Sequence, residues 1–128
     1  MEIYTTYFDR AGNLSKDIIP ISIALKPPKC WRGKEYKKLA PKESFFYEWK
    51  KSLDNEYYIN HFKKEVLSIL NADDVVRELF ELIQGEKIAL VCYEQPEEFC
   101  HRHLVADWLG QHGYEVREYV FDDKADSN

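Results

Sequence analysis

Several features are scarce in this 128-residue chain, and each scarcity excludes something. Cysteine occurs three times, at Cys30, Cys92 and Cys100, and an odd count argues against a disulfide framework. The uninterrupted apolar runs are far shorter than the ~20 residues a membrane-spanning helix needs. Met1-Glu2-Ile3-Tyr4-Thr5-Thr6 offers neither a basic n-region nor an apolar h-region, so no signal peptide is expected. Positive charge is not in excess: 18 Lys plus Arg against 23 Asp plus Glu leave a net charge of -5. That balance disfavours non-specific binding to nucleic acid or anionic lipid, although a local basic patch can override it. Internal repeats and low-complexity segments are absent. The expectation is a cytoplasmic protein without a membrane partner, whose cysteines are free, metal-bound or catalytic.

What is present is apolar and aromatic: 45% and 15% of residues, enough for one packed core and too short a chain for two typical domains. A single domain over residues 1–121 is expected, with a polar tail over 122–128 that frays. Ile3 to Phe8 is β-branched and aromatic and reads as a strand, Asp9 to Asp17 as a loop, and Ile18 to Leu25 as a second strand with Pro20 near its start. Helices are expected over Ser44 to Leu53, over the run bearing Tyr58, Phe62, Val66, Ile69 and Leu70, and after Asn71, where Val75, Val76, Leu79, Phe80 and Ile83 form a stripe that Gly85 ends. Lys87 to Cys92 reads as a buried strand. A last helix follows, with Pro96, Glu97 and Glu98 in its first turn and Gly110 or Gly113 at its end. Val116 to Val120 reads as an edge strand. The clear strand–helix–strand unit at the C-terminal end predicts an α/β fold: a small, mainly parallel sheet of about four strands with helices packed on its faces.

The densest chemistry lies between Cys92 and His103. Two thiols, two imidazoles, one guanidinium and several carboxylates crowd a strand-to-helix turn, the place where ligands bind in such folds. The pattern Cys92-x-Glu94, then Pro96, then Cys100-His101-Arg102 resembles the signature of the bacterial domain of unknown function 488 family. Upstream, Ile21-Ser22-Ile23 and Pro28-x-x-Trp31-x-Gly33-x-x-Tyr36-x-x-Leu39-Ala40-Pro41 resemble a short, single-domain branch of it. The likeness runs from about Ile3 to Tyr119. It implies a small α/β domain and no established activity, with Cys92, Glu94, Cys100, His101 and Arg102 as the motif residues. Members whose first strand leads into a Gly-His turn differ from this chain, which has Tyr7-Phe8-Asp9 there.

Each of these residues has a chemical and a structural reading. Cys92 and Cys100 are activated thiols or small buried side chains. Glu94 is a general base or an orienting group for Arg102. His101 is an acid/base group or a satisfied, half-buried histidine on the apolar stripe of Leu104, Val105 and Trp108. Arg102 binds a phosphate or carboxylate, or forms a salt bridge to Glu94 or Glu98. A phosphatase cradle is excluded: the sixth position after Cys92 is Glu98, and Arg102 is ten away. No metal and no cofactor is expected, since there is no Cys-x-x-Cys pair and His101 and His103, two apart on a helix, point to different sides.

If the strands before them are parallel, the loop of Lys26, Lys29, Trp31 and Arg32 opens beside the thiols. These residues are candidates for contact with a nucleotide or single strand, or form a solvated loop with Trp31 pinned to the core. The cluster Phe45-Phe46-Tyr47-Trp49 and the pair Tyr57-Tyr58 read as core or interface, and His61 and His112 as surface. Three functions follow. The first is an enzyme-like pocket for an anionic ligand, a nucleotide or nucleic-acid end, using thiol- or carboxylate-assisted hydrolysis or group transfer. The second is a non-catalytic module binding nucleic acid or protein. The third is a purely structural Cys-His-Arg motif.

Overall fold

The computed structural model describes residues 1–95 and 98–121. Among these residues five parallel strands form one sheet: β1 (Glu2–Tyr7), β2 (Ile19–Ser22), β3 (Lys34–Glu35), β4 (Lys87–Cys92) and β5 (Val116–Glu118), in the order β3-β2-β4-β1-β5. The helices are the single-turn α1 (Phe8–Ala11), then α2 (Glu43–Ser52), α3 (Asn55–Glu65), α4 (Ala72–Glu81) and α5 (His101–Gln111). The expected α/β class holds, with one strand more than expected. The extra strand is the two-residue β3, which offers too short a pattern to read.

Direction of travel across the sheet decides which face each helix covers. The chain moves one way from β1 through β2 to β3 and the opposite way from β3 through β4 to β5. Parallel crossovers are right-handed, so the connections before β3 and those after it lie on opposite faces. Accordingly Ile3, Ile21, Ile88 and Leu90, alternate residues on one face, join Phe45, Tyr58, Phe62, Val75, Val76, Leu79, Val105 and Leu109 from α2 to α5 in one buried core. Thr6, Ala89 and Val91 alternate with them and are fully buried on the other side, where α1 meets β1 and β4.

Local chemistry explains most boundaries. Asn71 caps α4 by accepting a hydrogen bond from the Asp74 N–H at 3.0 Å, and Asp54 caps α3 through Tyr57 N–H at 3.2 Å. After α5 the chain turns at Gly113, whose φ of 91° favours glycine. Several boundaries depart from expectation, β5 among them, which stops at Glu118 short of Val120. Phe8 begins α1 rather than ending β1. β2 stops at Ser22: the Ile23 N–H still donates to the Val91 carbonyl of β4, but the Ala24 N–H turns back to the Ser22 hydroxyl. α4 ends at Glu81, short of Gly85. α5 begins at His101, so Glu98 lies before the helix and not in its first turn; the placement of Pro96 and Glu97, and the fraying of the tail, lie outside the described residues. Ile69, expected on an apolar stripe, is exposed in a 3-10 turn. Among the described residues no helix is long and apolar enough to cross a membrane.

Candidate functional site

β2 and β4 pair in parallel register, so the loops after them open at the same end of the sheet. Between them lies a cavity of about 300 Å³. Ala24, Leu25, Pro41, Phe46 and Tyr47 supply apolar wall, Lys26, Lys50 and Glu94 supply charge, and Cys92, Tyr93 and His101 complete the lining. Phe45 turns into the core at 1% exposure, whereas its neighbours Phe46 and Tyr47 face the cavity. The aromatic cluster read as one block is thus divided between two roles by the helical turn.

The Cys92–Cys100 segment corrects the expectation of unpaired thiols. The sulfurs of Cys92 and Cys100 are drawn into bonding contact across eight residues, and Cys30 alone is free and exposed. A parallel strand end and the start of the next helix bring them together, which no spacing rule shows. Both are almost wholly buried, and Phe99 anchors the turn by packing its ring against Trp49 and Tyr58.

Arg102 is 0% exposed. Its Nε and Nη2 donate to the two carboxylate oxygens of Glu118, each at 3.0 Å. Its Nη1 donates to the Glu94 backbone carbonyl at 2.6 Å and to the Cys92 sulfur at 3.1 Å. The expected salt-bridge partners were Glu94 and Glu98; the partner is Glu118 on β5, which also accepts from the Thr5 hydroxyl at 2.6 Å. Glu118 was missed because its only sequence signal is a carboxylate in an edge strand, and its role depends on β5 lying beside β1. The Arg102 guanidinium also sits 5.8 Å from the centre of the Tyr7 ring.

His101 is buried, at the edge of the cavity. Nε2 lies 2.7 Å from the Ile23 carbonyl, which can only accept, so Nε2 carries the proton. Nδ1 then holds a lone pair, and it faces the Cys100 sulfur at 3.9 Å. Burial pushes the imidazole down to about 4, and it is neutral at pH 7. Glu94 is half-buried, and loss of hydration raises its carboxyl above the ordinary range against the pull of Lys50 and Arg102.

On the neighbouring loop, Lys26 reaches the cavity, and its carbonyl accepts the Tyr93 hydroxyl at 2.5 Å. Trp31 is half-buried, edge-on to Phe8 at 5.1 Å, and Phe8 in turn packs on Tyr93 at 4.8 Å. Lys29 and Arg32 are exposed. Elsewhere, His112 is on the surface as expected, whereas His61 is half-buried with its ring stacked on Phe45.

The fold and this turn define a small α/β domain with a Cys-His-Arg cluster at the strand ends. A family model described as the active DUF488-N3 subclade matches residues 8–113. The chain belongs to the DUF488 family. Comparison with curated proteins and with solved structures returns no match.

Proposed function

We propose that the protein is an enzyme acting on a small anionic ligand, a nucleotide or the end of a nucleic-acid strand, held in the cavity between the β2 and β4 loops. One observation carries this reading: a carboxyl raised by burial, Glu94, shares an apolar, aromatic-walled cavity with Lys26 and Lys50. Aromatic wall suits a base, paired ammonium groups suit a phosphate, and a carboxyl raised by burial suits proton transfer. Glu94 takes a proton from an attacking water or returns one to the leaving group in a hydrolysis or group transfer. Cys92 and His101 border the same space, with Cys100 behind them, and a thiol-assisted step is open to this pair only when it is reduced. Arg102 orders the turn through Glu118 and aims the Glu94 segment, a positioning role. That the matched subclade is designated active accords with an enzyme.

Calorimetric titration with a nucleoside monophosphate and its parent nucleoside tests this. The phosphate-bearing compound should bind more tightly, and Lys26→Ala with Lys50→Ala should abolish the difference. Equal binding of the two, or binding of neither, would overturn the proposal.

A further inference from the structure

The geometry points to a divalent metal site, of the kind zinc fills, made by Cys92, Cys100 and His101 with its open position towards the cavity. The donor atoms of these three buried residues all lie within 4.8 Å of one another. A sulfur and an imidazole nitrogen bound tetrahedrally to one zinc at ~2.3 and ~2.1 Å stand roughly 3.6 Å apart; Cys100 Sγ and His101 Nδ1 are separated by 3.9 Å. The tautomer is also right. With Nε2–H donated to the Ile23 carbonyl, the free lone pair is on Nδ1, and a backbone carbonyl behind the imidazole is the usual support of a metal-binding histidine. The objection from His101 and His103 together does not apply, because only His101 enters the set.

Two further features favour thiolates here. Arg102 Nη1 donates to Cys92 Sγ at 3.1 Å, and N–H donors of this kind orient and stabilise a coordinated sulfur. The guanidinium charge is matched by the bidentate Glu118 carboxylate, so it does not repel a cation strongly. The Cα atoms of the two cysteines stand 7.2 Å apart, wider than the roughly 4.4–6.8 Å usual across a disulfide. This leaves room for the sulfurs to separate around an ion. Binding occurs to the reduced pair: the metal replaces the two thiol protons, which pass to solvent, and no electron is transferred. Three protein ligands and one open position are the pattern of catalytic rather than structural zinc. Cys92 and His101 line the cavity, so the fourth position can take a water or a ligand group there. The inference stands on the donor geometry and is independent of the nucleotide reading, which can fail without affecting it.

The test uses the full chain, kept reduced with a phosphine, freed of metal by chelation, then titrated with Zn²⁺ and separately with Co²⁺. The expected results are one Zn²⁺ per chain by native mass spectrometry and, with Co²⁺, a thiolate charge-transfer band with intense visible bands of four-coordinate cobalt. Cys30→Ser should leave both unchanged, while His101→Gln should weaken Zn²⁺ binding by at least about tenfold. Should cysteine variants fail to fold, the cobalt spectrum of the unaltered chain still decides. No uptake by the reduced protein, uptake lost with Cys30→Ser, or a Cys92–Cys100 disulfide that persists under reductant would each overturn the proposal.

Discussion

Arg102 and Arg32 lie on two loops at the same end of one sheet, yet they are opposite kinds of residue. Arg102 is fully buried, with Nε and both terminal nitrogens bonded to Glu118, Cys92 and the Glu94 carbonyl. Arg32 stands in solvent beside the exposed Lys29. The first guanidinium organises the turn that carries the thiols; the second is open to whatever approaches. The difference is a lesson in reading basic residues near a site. A guanidinium whose donors are used inside the protein acts on shape, and one in water acts on encounter.

The sharpest way to break the comparison is Arg102→Ala. It leaves Glu118 as a charge without its partner and opens space beneath Tyr7, so stability should fall by about 3–5 kcal/mol in chemical denaturation. Arg102→Lys should not restore it, because an ammonium cannot bridge both carboxylate oxygens and Cys92 together. A loss below about 1 kcal/mol for Arg102→Ala would place the two arginines in the same class.

The next largest effect is the pH dependence contributed by His101. Its folded value, about 4, lies below the ordinary 6.5, so between those limits the unfolded chain binds a proton that the folded one refuses. Stability therefore falls as pH is lowered from about 6.5 to about 4, by on the order of 3 kcal/mol. His101→Gln should flatten that slope, as followed by urea titrations across the range.

Gly33 tests whether the exposed loop has any fixed element. A Cβ there would come 2.6 Å from the Trp31 ring. Gly33→Ala should cost about 1–3 kcal/mol by displacing Trp31 from Phe8, visible as a shift in tryptophan emission. The smallest effect is reserved for Lys29→Ala and Arg32→Ala, which should alter stability by no more than about 0.5 kcal/mol. Any effect on binding a single-stranded oligonucleotide should be greatest at low salt.

Much of the fold was legible. Lys87 to Cys92 is a strand because an apolar run of that length, closed by turn residues, is buried on both sides of a parallel sheet. The α4 boundary at Asn71 follows from one side-chain oxygen. The end of β2 was not legible, because the apolar run continues through Leu25 while the Ala24 N–H turns back to the Ser22 hydroxyl and leaves the ladder. Within the site, the turn from Cys92 to Arg102 could be located, but the partners of its members could not. Sequence separation hides Glu118 from Arg102, 16 residues away, and Phe46 and Lys50 from Glu94.

The family was legible as a resemblance of motif residues; the sequence by itself also determined the α/β class, the order of its main elements and the stretch where chemistry concentrates. These follow from periodicity, capping and residue type, which act over one or two turns of chain. Only the tertiary structure decided that Cys92 meets Cys100, that His101 presents Nδ1 rather than Nε2, that Arg102 is locked to Glu118, and that α2 closes the cavity. Each of those depends on parallel strands being placed side by side and on the water then lost from between them, since burial turns a thiol, an imidazole or a guanidinium into a group that must find its partner inside the protein.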